Sequence, residues 1–142
     1  MKLMIICSTS FYNRLQPIID KLESLGHKLI LPNHYDGVNN EHHYEELTEE
    51  EYLKFFKDAY KESREKIENV DGVFAMNFSK EKNGQILENY VGASTFLEMY
   101  EAFMGNKKIF LLNEIPNNML YDEIKGFNPI IIKDNFDWKE EQ

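Results

Sequence analysis

The sequence predicts an α/β sandwich: a five-stranded, mainly parallel sheet between layers of helix, built as a single domain over residues 1–142. Three observations carry that expectation. Short apolar runs recur along the chain (LMIIC, HKLILP, DGVFAMN, KIFLL and III), and most are near-continuous, as strands buried on both faces must be. Between the runs lie stretches whose apolar residues recur every three or four positions, so strand and helix alternate. The length is that of one ordinary domain, long enough to bury a substantial core.

Each element follows from local chemistry. Leu3 to Cys7 is the first strand, leaving through the hydroxyl-rich Ser8-Thr9-Ser10. Asn13 to Leu25 places Leu15, Ile18, Ile19, Leu22 and Leu25 on one helical face, and Gly26 ends it. His27 to Pro32 is a second strand, stopped by its proline. Residues 33–47 are polar, without a clear period, and long for a connection. Thr48-Glu49-Glu50-Glu51 is a capping box that opens a long helix to about Asn69, with Tyr52, Phe56, Ala59, Tyr60 and Ile67 as its inner stripe. Asp71 to Asn77 is the third strand, and Phe78 to Leu87 reads as a polar connection. The stretch NYVGASTFLEMYEAF then supplies a helix ending at Gly105, where Thr95 and Glu98 fit the capping-box template and place Glu98 in the first turn. Lys108 to Leu112 is the fourth strand, Met119 to Lys125 a short helix, and Ile130 to Ile132 the fifth strand. The tail from Asp134 is charged apart from Phe136 and Trp138. The expected architecture is a three-layer, flavodoxin- or Rossmann-like sandwich.

Charge and composition exclude several roles. A formal net charge of −9, with no run of Lys and Arg, argues against a nucleic acid polymer or an anionic membrane as partner. No apolar run approaches the roughly 20 residues that span a bilayer, and MKLMIIC is too short for a signal-peptide core. The single cysteine, Cys7, rules out an internal disulfide framework and fits a cytoplasmic location. His34, His42 and His43 fall in the irregular polar segment and read as solvated loop residues, so no metal is expected; no cofactor is expected either.

In such a sheet, ligands bind outside the carboxyl ends of the strands. The loop CSTSFYNR offers three hydroxyls, backbone amides and Arg14 to a phosphate or carboxylate, although the same hydroxyls could simply cap a helix. Arg64, four residues before Glu68, reads as one half of a helical ion pair. Glu98 fits a helix cap, yet its helix starts at the ligand edge of the sheet.

The succession MIICSTSFY, ESLGHKLILP, IENVDGVFAMN and LEMYEAFMGNKKIFLL resembles the nucleoside 2-deoxyribosyltransferase-like superfamily, which includes nucleoside 5′-monophosphate N-glycosidases. The resemblance covers roughly Met1 to Leu112. It implies N-glycosidic bond cleavage or transfer on a nucleoside or nucleotide, with Glu98 as the carboxylate nucleophile. It places Cys7, Ser8, Ser10, Arg14, Asn77, Asn89, Tyr90 and Gly92 around the substrate, and implies a homodimer or higher homo-oligomer. Two departures stand out. The approach to Glu98 carries one glycine, Gly92, and where many members hold an aspartate, about two helical turns before Asp71, this chain has Ser63. The proton for the departing base must then come from elsewhere, such as Glu88, Glu101 or a neighbouring subunit. Two other readings stand beside the enzyme: a catalytically silent nucleotide-binding or regulatory module of the same fold, and a flavodoxin-like flavin-binding electron carrier. The first-strand exit lacks the glycine usual in a flavin phosphate loop.

Overall fold

A computed structural model describes residues 1–36 and 44–136; His42, His43 and Trp138 lie outside that range. In chain order the elements are β1 (Lys2–Ile6), α1 (Gln16–Ser24), β2 (Lys28–Ile30), α2 (Glu49–Glu68), β3 (Gly72–Ala75), β4 (Lys80–Lys82), β5 (Gln85–Leu87), α3 (Ala93–Met104), β6 (Lys108–Leu111), α4 (Tyr121–Gly126) and β7 (Ile130–Ile131). Five strands pair in the order β2-β1-β3-β6-β7, every contact parallel. This is the doubly wound sheet the apolar runs predict.

The central strands bury both faces because both are covered. Leu3 and Ile5 of β1, Phe74 of β3 and Phe110 of β6 join Ile19 and Leu22 of α1 in one core. Their neighbours along each strand, Met4, Ile6, Val73, Ala75, Ile109 and Leu111, point the other way onto Ile67 of α2, Met99 and Ala102 of α3 and Ile124 of α4. Alternate residues of a strand face opposite sides, so one continuous apolar run feeds two cores. Gly72 is required where β3 meets β6: a Cβ there would stand 2.7 Å from the Lys108 carbonyl oxygen.

Several elements differ from expectation. The first helix divides: Thr9–Arg14 is a 3-10 helix, capped by Ser8, and α1 starts only at Gln16. Pro17 sits in the first turn of α1, where its missing N–H costs nothing but where an α-helix reaching back through it would lose a bond. The connection 78–87 holds a hairpin, β4 paired antiparallel with β5, turning through Asn83 (φ 53°) and Gly84 (φ 75°). An Asn-Gly pair between strand-forming runs is the strongest short-range hairpin signal, and KEKNGQIL carries it within a stretch that is otherwise polar. Finally, α2 carries the predicted capping box, with Glu51 N–H on Thr48 Oγ1 (3.1 Å) and Thr48 N–H on Glu51 Oε1 (3.2 Å). Its aromatic stripe does not enter the core, however: Tyr52 and Tyr60 are 40% and 50% exposed, while Ile67 is buried.

Candidate functional site

The chain reverses direction across the sheet between β1 and β3, whose connections run to opposite sides, and the crevice of a doubly wound fold opens at that point. A cavity of about 660 Å³ lies there, within the size range of small-molecule sites. Its floor is the end of β1 and the following turn (Cys7, Ser8, Thr9, Tyr12). One wall is the standing-off part of α2, with Phe55, Phe56, Tyr60 and Ser63, and the other is the start of α3, from Gly92 to Glu101.

Glu98 is not a capping residue. The helix α3 begins at Ala93, with Gly92 as an extended N-cap (φ −78°, ψ 169°) that makes no side-chain cap bond. Thr95 is therefore its third residue, 3% exposed, and Glu98 falls in the second turn. The Glu98 carboxylate accepts instead from across the cavity: Ser63 Oγ donates to Oε2 at 3.0 Å. Ser63 Oγ accepts from Asn33 Nδ2 at 2.9 Å, and Asn33 Oδ1 accepts from Lys66 Nζ at 2.8 Å. Burial pushes the Glu98 carboxyl up from 4.5 to about 7, against the opposing effects of the Ser63 hydrogen bond and the Lys66 charge. At neutral pH both protonation states are populated.

Of the residues the sequence pointed to, Cys7, Ser8, Tyr90, Gly92 and Glu98 line the cavity. Burial, and secondarily the Glu98 charge, pushes the Cys7 thiol well up, so it stays protonated and packs as a small apolar group. Four others are outside the lining. Ser10 Oγ is 2.9 Å from Ser8 Oγ, within the cap of the 3-10 helix. Arg14 points away, its guanidinium 4.0 Å from the centre of the Phe78 ring and donating to the Ser79 carbonyl at 3.3 Å. Asn77 is 1% exposed and ties two strand exits together: it donates to the carbonyls of Asn113 (3.1 Å) and Glu114 (3.0 Å) and accepts from Asn113 N–H (2.8 Å). Asn89 occupies a left-handed backbone position (φ 53°) and donates through its N–H to Ser79 Oγ.

Arg64 does not pair with Glu68 as its spacing suggested; it forms a salt bridge with Glu101, joining α2 to α3 at the cavity rim. Glu88 is exposed and outside the lining. Among the described residues, Glu98 and Glu101 are the carboxylates of the lining, and Glu101 is engaged by Arg64. Tyr12 and Asn33 lie in the strand-exit stretches Ser8 to Arg14 and Asn33 to His43, where the sequence places ligand contacts, but neither stands out individually there, and Lys66 falls outside them. Asn33 directly follows Pro32 at the end of the second strand, which is a ligand-edge position, but it was submerged in a long polar segment. Tyr12 OH donates to the Asn33 carbonyl at 2.6 Å, and burial raises its phenol so that it stays a donor.

Among the described residues no group of three or more His, Cys, Asp and Glu side chains is placed to hold a metal, and no helix is long and apolar enough to cross a membrane. No protein-family model matches the chain, and no curated protein matches it. Several solved structures share its fold, two enzymes among them. The CMP N-glycosidase BcmB of Clostridium botulinum is 15% identical, with a TM-score of 0.52 over 92% of this chain and 83% of that one. The 2-deoxyribosyltransferase of Bacillus psychrosaccharolyticus is 16% identical, with a TM-score of 0.51 over 92% of this chain and 98% of that one. The fold is thus the one shared by an N-glycosidase and a 2-deoxyribosyltransferase.

Proposed function

We propose that this chain cleaves or transfers the N-glycosidic bond of a nucleoside or nucleoside 5′-monophosphate, with Glu98 as the nucleophile. One observation carries the reading: a carboxylate raised to about 7 stands in a cavity of about 660 Å³ at the ligand edge of the sheet. A buried, strongly shifted carboxyl in a cleft costs stability and is a mark of a working site. Ionised Glu98 would attack the anomeric carbon as the bond to the base breaks, the base leaving with the electron pair and taking a proton. The resulting glycosyl ester is then opened by water, giving hydrolysis, or by a second base, giving transfer. With Glu101 held by Arg64, the departing base takes its proton from solvent in this reading. The Tyr60 and Tyr90 rings in the lining suit stacking of a planar base.

Incubating the protein with ribo- and deoxyribonucleosides and their 5′-monophosphates, and following free base by chromatography, tests this. Release from at least one substrate, abolished in Glu98→Ala, is the expected result. A second reading, a silent nucleotide-binding module, is favoured by Ser63 at the aspartate position and the engaged state of Glu101. Nucleotide binding without release of base from any substrate would establish it. The resemblance also implies a homodimer or larger assembly, which light scattering on the purified chain measures.

A further inference from the structure

We infer that Lys66, Asn33 and Ser63 are positioning residues for Glu98, forming a one-way hydrogen-bond chain that fixes Ser63 as a donor to Oε2 and turns Oε1 toward the cavity as the attacking oxygen. The part concerning attack rests on Glu98 being the nucleophile; the direction of the chain does not.

That direction follows from donor chemistry. A lysine ammonium has donors only, so the Asn33 oxygen, not its nitrogen, must face Lys66 Nζ at 2.8 Å. The amide is anchored at its other end as well, because Asn33 Nδ2 also donates to the Ala59 carbonyl at 3.2 Å, and a carbonyl only accepts. Nδ2 therefore donates to Ser63 Oγ, at 2.9 Å. The hydroxyl has a single proton, and with the Asn33 side supplying one, its own goes to Glu98 Oε2 at 3.0 Å. Lys66 is itself held by the Leu31 carbonyl (3.2 Å) and by Glu62 (3.2 Å), and the Asn33 backbone is held by Tyr12 OH (2.6 Å). With Glu98 ionised, the donors and acceptors at both ends are fixed, so the chain has one orientation.

Of the other titratable groups in the lining, Glu101 is paired with Arg64, and Lys61 and His34 lie on the same cavity. Cys7, at the end of β1, and Tyr12, in the turn after it, are both kept protonated by burial. Lys66 is the cation whose field reaches the carboxylate. A serine hydroxyl thus stands where a second carboxylate would repel Glu98, and it favours the ionised form that attack requires.

A purely structural role, in which these bonds merely tie the end of β2 to α2, predicts altered stability but an unaltered Glu98 titration. The test follows the Glu98 carboxyl by carbon-13 NMR from pH 4 to 10 in folded wild type, Ser63→Ala, Ser63→Thr, Lys66→Met and Lys66→Arg. Removing the hydroxyl or the cation should move the Glu98 midpoint up by about one pH unit, a roughly fivefold loss of ionised carboxylate at pH 7. Ser63→Thr and Lys66→Arg should restore it. If the protein releases base from a nucleoside, the acid limb of kcat/KM should move by the same amount in Ser63→Ala, with little loss at pH 9. Midpoints in Ser63→Ala and Lys66→Met that coincide with wild type would overturn the inference. If wild type releases no base, the glycosidase reading fails while the titration still decides the chain. Should Ser63→Ala not fold by far-UV circular dichroism, the Lys66→Met and Lys66→Arg pair carries the same comparison.

Discussion

Replacing Glu98 by Gln should stabilise the protein at alkaline pH and leave its stability nearly unchanged near pH 4. In the folded chain the carboxyl holds its proton more tightly than in the unfolded chain, because burial raises it from 4.5 to about 7. The folded state then binds more protons between those values, so this group makes stability fall as pH rises through that window and adds nothing further above it. The difference corresponds to about 3 kcal/mol at pH 8, and the remaining solvent contact of a half-buried residue trims this to roughly 2 kcal/mol. Gln keeps an oxygen that can accept from Ser63 Oγ, so the substitution removes the charge and little else. Urea unfolding of both proteins at pH 4, 6 and 8 measures the effect, since the titration of every other acid cancels in the difference. A gap that is constant with pH, or a wild type that gains on the variant as pH rises, would refute the reasoning: the latter is how a carboxylate stabilised by a cap or a cation behaves.

Two further substitutions test the frame that holds the site. Asn77→Ala should cost about 2 to 4 kcal/mol in urea unfolding, because it strands the Asn113 N–H and two carbonyls that Asn77 satisfies in a buried setting. A loss below 0.5 kcal/mol, on the order of an exposed surface change, would show that these groups find other partners. Gly72→Ala should destabilise by roughly 1 to 3 kcal/mol, since its methyl must displace a backbone carbonyl that is itself paired in the sheet. An unchanged melting temperature would contradict the close approach of β3 and β6.

Much of the frame was legible because it is written in periods. Leu3 to Ile6, Val73 to Ala75 and Ile109 to Leu111 are apolar at every position, and only a sheet covered on both faces accepts such runs. What was not legible depended on contacts distant in sequence. Tyr52, Phe56 and Tyr60 recur with a core stripe's spacing, but whether such a stripe meets a sheet or a cavity is decided by how far α2 stands from β1, and no local pattern encodes that. Ser63 was identified from the sequence only as a missing aspartate. Its bond to Glu98 spans 35 positions, and the partner that orients it, Asn33, lies 30 positions away in the other direction.

The same four-residue template occurs twice, as Thr48 to Glu51 and as Thr95 to Glu98, and only the first is a cap. The difference lies in what precedes each threonine. Thr48 follows the one-turn 3-10 helix Tyr44–Glu46 and takes the extended conformation itself (φ −65°, ψ 161°), which frees its hydroxyl to receive the Glu51 N–H. Before Thr95 stand Gly92, Ala93 and Ser94. The glycine adopts the extended cap position, and alanine, the best helix former, starts the helix at once, three residues earlier than the template requires. That early start turns Thr95 inward and carries Glu98 from an exposed first turn to a position opposite α2. A glycine cap lacks only the side-chain bond, so the cost in this stretch lies in the carboxylate, whose ionisation burial opposes. A buried carboxylate facing a cavity departs from the rule that charge stays in water, and that departure supports the role proposed for Glu98.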